Sequence, residues 1–535
     1  MASFPNQTSG TLEVPFLAPI ENFHFLTKMI FALLLGLLTW RMWKFTVLPC
    51  FHPSHPKEFP SWLPYIGHAF AFFRDSNGLL AQARAYFNDT EDPFALTVLG
   101  VKFYVVTQAK HSAEVYKNTE TLSFEDFVQT LMKSNGNSDD VINIMYSAMS
   151  ANKTGFPNPQ GESLGVLAQK MHIYQLHPGD NLTLLQRRVQ GWIDNYLTVG
   201  ALQNSCPYAS QAGSYIELPL YQWCSDYFVK LGQGVYFGDL LHDIDPELPA
   251  AFLEFDERIW KMLYSYPRFL SRDMSKPRSR VIHSLKKYFE VPKSQRKEKA
   301  AWLINAMEDE VTALGIDDNN LAVVVFHLYF AINTNTRKTA FWMLTYLLHH
   351  PALLKVYREE TEPAFNGSNL VDPFYIQNAA KCAQVNAIWH ETLRLSGWSA
   401  SVRLIKEDTV IGGKLMCKGN RVLVPHRLLH FDDRIFGEDI HSFRHERWQQ
   451  ADLGRSPSWR PFGGGKTTCS GRFLARFSVT TFIATLLRRF DIEMVGNPPF
   501  PRADEGRPVL GIMSIKEGED FRVRLSPRPT LGPIL

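Results

Sequence analysis

From Pro461 to Arg472 the chain reads Pro-Phe-Gly-Gly-Gly-Lys-Thr-Thr-Cys-Ser-Gly-Arg, with three successive glycines ahead of Cys469. Glycines adopt backbone conformations closed to other residues and let a chain lie close to a flat ligand. An amphipathic helical pattern, Gly471 to Arg489, starts directly after the cysteine. A thiolate at a helix start is stabilised by the helix dipole and by free N–H groups, and Gly471 leaves room there. Three chemistries compete for such a loop. The simplest is a buried thiol beside a turn. A phosphate loop needs the spacing G-x-x-x-x-G-K-[ST] after a strand, and that spacing is absent. An axial thiolate to haem iron needs one cysteine in a tight loop, close backbone approach to the porphyrin and N–H donors to the sulfur. On the loop alone, this third chemistry leads.

Two helical segments carry the other residues that could take part. The first runs from about Asn319 to His349, with Asp317, Asp318, Asn319 and Asn320 as caps and Pro351 as its stop. Leu321 to Ile332 is apolar nearly all round, so this helix is expected to pass through the centre of the domain. Its middle then turns polar, at Asn333, Thr334, Asn335, Thr336, Arg337, Lys338 and Thr339, before Ala340 to Leu348 is apolar again. Polar groups at that depth need partners, which marks the stretch as a functional patch. The second helix, about Pro373 to Leu395, ends in His390-Glu391-Thr392-Leu393-Arg394. Glu391 and Arg394 share one helix face; taken alone, such a pair is a surface salt bridge of small worth. Strand-like runs occur at Ala95 to Thr107, Val402 to Ile411, Arg421 to Val424 and Phe521 to Leu525.

Of the 535 residues 45% are hydrophobic and 13% aromatic, which suits a large apolar core or pocket. The net charge of +3 is too near neutral to argue for nucleic acid. The six cysteines, Cys50, Cys206, Cys224, Cys382, Cys417 and Cys469, are scattered without a C-x-x-C pair, as in a body with reduced thiols. Phe23 to Phe45 is expected to be a membrane anchor. It reaches the roughly 20 apolar residues of a span if Lys28 and Arg41 snorkel to opposite interfaces. Trp40 and Trp43 suit an interfacial belt, and Arg41 and Lys44 favour a cytoplasmic C-terminal side. No small-residue cleavage site follows, which argues against a signal peptide. Residues 1–22 are then an N-terminal tail, where Asn6-Gln7-Thr8 has the glycosylation pattern for a lumenal terminus. Pro53, Pro56, Pro60 and Pro64 make residues 46–65 a stiff hinge. Residues 66–535 form the catalytic body, without repeats or a low-complexity linker.

Phe462-x-x-Gly465-x-x-x-Cys469-x-Gly471 resembles the haem-binding signature of the cytochrome P450 superfamily, and Ala475 matches a small residue usual on the following helix. Glu391-x-x-Arg394 resembles that family's E-x-x-R pair. Phe443-Arg444-His445-Glu446-Arg447-Trp448 resembles its P-E-R-F element, with His445 in place of proline. The resemblance implies a mainly α fold with a smaller β region (α+β), in which a long central helix lies over haem b held by the cysteine loop. By analogy Cys469 is the axial ligand, Phe462, Gly465 and Gly471 shape its loop, and Glu391, Arg394 and Arg447 form a buried network on the haem side of the core. The helix from Asn319 looks like the oxygen-binding central helix. Most members carry an acid–Thr pair there; in this chain the two positions fall on Thr334 and Asn335, a departure. Thr334-Asn335-Thr336 followed by Ala340-Phe341-Trp342 is similar to the subgroup that includes sterol 7α- and 12α-hydroxylases and prostacyclin synthase. Thr467, where most members have Arg, and the missing W-x-x-x-R between Leu176 and Trp192 fit that subgroup too. Arg403 is then the candidate partner of the haem propionates.

The resemblance implies oxygen activation, since a thiolate ligand favours O–O cleavage, followed by oxidation of an apolar C–H or C=C bond. Asn335, with Thr334 or Thr336, is expected to position a water or the bound oxygen by hydrogen bonding. Phe326, Phe330 and Trp398 to Val402 are expected to line the substrate side. Electrons are expected from NADPH through a membrane reductase (NADPH–cytochrome P450 reductase), because no flavin or nicotinamide domain is visible in the chain. The implied substrate is lipophilic, a sterol, terpenoid or other natural product, and the implied location is the endoplasmic reticulum with the catalytic domain cytosolic. A second reading is a haem-thiolate isomerase or dehydratase acting on a lipid peroxide, which needs neither O2 nor reductase. A third is a non-catalytic haem-binding protein.

Overall fold

The computed structural model describes residues 18–150, 155–212, 215–264, 266–450 and 452–528; Asn6-Gln7-Thr8 and most of the N-terminal tail lie outside them. The apolar run near the start forms α1 (Ala18–Met42), continued by a π turn (Trp43–Val47) and one short helical turn (Leu48–Phe51). Among the described residues, Phe25–Phe51 is the one stretch long and apolar enough to cross a membrane by length and composition. Its apolar window is not buried against the body, and Phe25, Phe31, Leu33 and Leu35 stay more than half exposed. Arg41 and Lys44, expected at a bilayer interface, turn back onto the body. Arg41 donates to Ser61 O at 2.6 Å and lies over the Trp62 ring, and Lys44 pairs with Glu58 at 2.7 Å.

Beside the helices lie, among the described residues, four sheets, of which two have more than two strands. The strands of these two are β1 (Lys57–Glu58), β2 (Phe94–Val98), β3 (Val101–Val105), β4 (Leu122–Ser123), β5 (Ser210–Ala212), β6 (Tyr215–Pro219), β7 (Ala400–Ile405), β8 (Arg421–Pro425), β9 (Phe490–Met494) and β10 (Arg522–Pro527). The larger has the order β1-β2-β3-β8-β7-β4 and the smaller β9-β10-β6-β5. Within the expected hinge, Lys57 and Glu58 pair in parallel with Phe94 and Ala95. The run expected as one strand from Ala95 is a hairpin, turned at Leu99 and Gly100 (φ +49° and +78°). A Cβ on Gly100 would lie 2.3 Å from the Tyr65 ring, and its positive φ favours glycine.

The helices that build the centre are α2 (Leu220–Phe237), α3 (Leu248–Asp256), α4 (Arg272–Glu290), α5 (Asp318–Asn333), α6 (Thr336–His349), α7 (Ala383–Ser396) and α8 (Arg472–Arg489). The Asp317 side chain caps α5 by accepting from Asn320 N–H at 2.8 Å. Leu321 to Tyr329 is buried save for His327, as its unbroken apolar pattern requires. The single helix expected from Asn319 to His349 is in fact two, broken at Thr334–Asn335. The helix expected from Pro373 is also interrupted. The Asn378 side chain accepts from the Ala380 and Lys381 N–H groups, a local turn that competes with the helical ladder. Finally, α8 is not amphipathic: Phe477 to Leu487 is buried on every face, because α6 and neighbouring helices enclose it.

Candidate active site

The cysteine loop is closed by its own backbone, with Cys469 N–H donating to Phe462 O at 3.0 Å. Gly463 and Gly465 take φ of +77° and +62°, and a Cβ on Gly465 would lie 2.8 Å from Tyr116 O. Because α8 starts at Arg472, the N–H groups of Gly471 and Arg472 point at the Cys469 thiol. Cys469 is reachable by solvent on one side and crowded by protein on the others. That desolvation raises its pKa, while the two N–H groups and the Arg472 charge pull it down. Such a thiol ionises when a cation binds it. Among the described residues no group of three or more His, Cys, Asp or Glu could hold a metal ion. A separate cavity of about 480 Å³ flanks the loop at Phe462, Trp389, Trp459 and Arg472; neither Cys469 nor Asn335 lines it.

Glu391, Arg394 and Arg447 come together beside this loop's supporting helix. Glu391 and Arg394 are fully buried and 2.8 Å apart, and Arg447 Nε lies 3.1 Å from the same carboxylate. Trp448 Nε1 donates to the other Glu391 oxygen at 2.8 Å, and Arg394 also donates to Ile440 O at 2.7 Å. Here the pair is no surface bridge. Removing one partner from a closed buried network costs about 3–5 kcal/mol, because the remaining charge is stranded.

Arg403 sits on β7, 5% exposed, and donates to Val402 O and to Thr467 Oγ1, which stitches the strand to the cysteine loop. Sequence reasoning missed Arg460, which converges on the same place. The two guanidinium carbons lie 5.8 and 5.9 Å from the centre of the Tyr116 ring. Tyr116 OH bonds His426 Nε2 and Ser401 Oγ, both at 3.0 Å. Burial, and after it the Arg460 and Arg403 charges, pushes the His426 pKa down to about 3, so this imidazole is neutral. Burial also lowers the Arg403 pKa, and Arg460 Nε has no hydrogen-bond partner. Among the described residues no carboxylate pairs with either guanidinium. Two such cations beside the cysteine loop fit a cofactor that carries two carboxylates, as haem b does. A cation directly before Pro461 with no acidic neighbour was the available signal for Arg460; Tyr116 and His426 left none.

At the central break, Thr334 Oγ1 donates to Asp256 Oδ1 at 2.7 Å. The other Asp256 oxygen takes Arg337 at 2.5 Å and Lys338 at 2.9 Å. Burial alone would raise the Asp256 pKa; the Lys338 and Arg337 charges win and lower it. Asn335 Oδ1 accepts from Ile512 N–H at 2.9 Å, and Thr336 opens α6. The Thr334 hydroxyl, expected to help position oxygen, is thus committed to a carboxylate 78 positions away that no local pattern pointed to. Phe326 packs on Phe255 and Phe330 in the core. Trp398 N–H donates to Gly511 O at 2.9 Å, so the start of β7 and the central helix share the 511–512 segment.

Known proteins show the same plan. The Cytochrome P450 family profile matches residues 241–518, over half of the chain. The cytochrome P450 monooxygenase poxD of Penicillium oxalicum is 24% identical over 465 residues, covering 83% of this chain and 88% of its own. The 7-alpha-hydroxycholest-4-en-3-one 12-alpha-hydroxylase of Homo sapiens is 25% identical over 504 residues, covering 89% and 94%. Among solved structures, retinoic acid bound cyanobacterial CYP120A1 superposes with a TM-score of 0.64 at 17% identity, covering 89% of this chain and 99% of that one; the fold is shared. The mainly α fold with its smaller sheets, the cysteine loop and this profile converge on one conclusion: the chain belongs to the cytochrome P450 family, haem-thiolate monooxygenases that act on lipophilic substrates with O2 and a redox partner.

Proposed function

We propose that this protein inserts one oxygen atom from O2 into a sterol, terpenoid or similar natural product, with electrons passed from NADPH by a membrane-bound reductase. The observation that carries this reading is the Cys469 thiol, met by two backbone N–H groups and flanked by the acid-free pair Arg403 and Arg460. In it Cys469 would supply the thiolate that holds the haem iron, while Phe462, Gly465 and Gly471 shape the loop. Arg403 and Arg460 hold the propionates, and Glu391, Arg394 and Arg447 keep the surrounding core rigid. Bound haem supplies the oxygen activation. The chain's own residues bind the substrate, exclude water and, at Asn335 and Thr336, hold a hydrogen-bonded water or oxygen near the break; Thr334 acts there through Asp256. Similarity to a hydroxylase named for a cholestenone supports a sterol-sized substrate. Residues 1–22 are the tail, 23–45 the anchor, 46–65 the connection and 66–535 the catalytic domain, held on the cytosolic face of the endoplasmic reticulum.

The deciding experiment supplies the purified protein with reductase, NADPH and 18O2 and screens sterol, terpenoid and polyketide extracts by mass spectrometry. A product heavier by one labelled oxygen is expected. Rearrangement of a lipid peroxide without NADPH, and no labelled product, would establish the isomerase instead. Cys469→Ala is expected to lose the thiolate band of the ferrous–CO spectrum; a normal band in that variant would remove Cys469 from its role.

A further inference from the structure

Three ionisable side chains are buried together where the central helix breaks. Asp256 ends α3, and Arg337 and Lys338 lie in the first turn of α6, their side chains 0%, 1% and 5% exposed. Buried ions are seldom the most stable filling for such a space, and apolar residues of like volume often do as well or better. A cluster of this kind is better explained by geometry that it enforces. No proline or glycine lies between Asn333 and Lys338, so the break lacks the usual local cause. Asp256 bonds both edges of it. One oxygen holds Thr334, the residue that caps the end of α5; the other holds Arg337 and Lys338, in the first turn of α6. Arg337 also donates to Ser225 Oγ at 2.7 Å on α2 and to the half-buried Glu257 at 3.1 Å, while its Nε has no partner.

From this staple the connections lead to one short segment. Asn335, inside the break, accepts from Ile512 N–H, and a Cβ on Gly511 would lie 2.2 Å from Asn335 Oδ1. Trp342 Nε1 donates to Met513 O at 2.8 Å, and Ser514 Oγ donates to Glu257 at 3.1 Å. On its other side the segment bonds Ser396 O and Trp398 N–H, at the foot of the strand that carries Arg403.

We propose that Asp256 is a positioning residue for the oxidation: it staples the two halves of the central helix across their break and so fixes Asn335 and the 511–514 segment beside the start of β7. The effect on oxidation rests on the monooxygenase reading; the staple itself does not. With the staple gone the half-helices shear, the 511–514 segment loosens and water enters. Electrons then leave as hydrogen peroxide (NADPH + H+ + O2 → NADP+ + H2O2) instead of in product.

The test uses the full-length holoprotein as wild type, Asp256→Asn and the double variant Asp256→Asn/Lys338→Met. The double variant removes one charge of each sign, so it avoids stranding Lys338 in the interior. Amide hydrogen exchange is expected to become about tenfold faster at 332–338 and 511–514 in both variants, the size of one lost charge-assisted hydrogen bond, and to stay unchanged in α7. The share of NADPH electrons recovered as peroxide in the presence of reductase is expected to rise, with haem content unchanged. Unchanged exchange at 511–514 in both variants would overturn the staple. Faster exchange with an unchanged peroxide share would leave Asp256 a merely structural residue and overturn the positioning role. If wild type with reductase consumes no NADPH, the effect on oxidation falls with the monooxygenase reading, while exchange still decides the staple.

Discussion

Arg403 and Arg460 are held differently, and that difference orders their expected effects. Arg403 is buried and tied to Thr467, whereas Arg460 is only half-buried and leaves Nε without a partner. Each is expected to contribute a charge-assisted contact of about 1.5–3 kcal/mol to a carboxylate-bearing cofactor. Arg460→Ala should therefore speed haem loss to a scavenger protein by about tenfold, and Arg403→Ala by more; equal loss rates for wild type and both variants would argue against the propionate assignment. Cys469 was legible in the sequence because its glycines, its thiol and the helix behind it are contiguous. Arg460 stood beside the same motif but offered only the absence of an acid. Tyr116 and His426 come from segments far apart in the chain, and no local pattern announces that they meet. Thr334 was legible as a polar residue in an apolar helix; that its partner is Asp256 was not, because 78 positions separate them.

The central helix shows what periodicity can and cannot tell. Its caps, its apolar first half and its polar middle follow from the residues themselves. Its break does not, since Thr334 and Asn335 are ordinary helix residues and the cause lies in α3 and in the 511–514 segment. His327 on α5 carries a consequence at this scale. Its Nδ1 sits 2.8 Å from Val323 O and its Nε2 3.0 Å from the Asn135 amide, a setting for a neutral ring with one donor and one acceptor. Burial pushes its pKa down to about 4. As pH falls from 6.5 towards 4, the unfolded chain takes up a proton that the folded ring refuses, so stability is lost over that window, by up to about 3 kcal/mol from this group. The melting temperature should fall from pH 7 to pH 5, and His327→Gln should flatten part of that fall; an identical slope in the variant would show that His327 contributes nothing to it. His390 and His426, lowered to about 4 and about 3, act with the same sign.

At the scale of the whole molecule, the balance of many helices with a smaller sheet region was legible, whereas the strand order was not. Pairing β3 with β8 joins segments separated by more than 300 residues, and hydrophobic alternation says nothing about which strands become neighbours. A chain shortened to begin at His52 should keep its haem and its ferrous–CO spectrum, because the apolar face of α1 is not buried in the body, and should move from the membrane pellet to the supernatant on sedimentation. Continued pelleting would point to a second lipid-binding surface on the body. The clamp at the base of α1 has a further consequence. With Phe25–Phe51 in a bilayer, as proposed, Arg41 on Ser61 and Trp62, and Lys44 on Glu58, would make the anchor a mast rather than a mooring line. A body on a mast cannot roll, so the face turned toward the lipid would be set where the helix meets the first strand. Encounters with other membrane-bound proteins then become a two-dimensional search among few orientations, and a flexible insert between residues 44 and 57 would return that search to three.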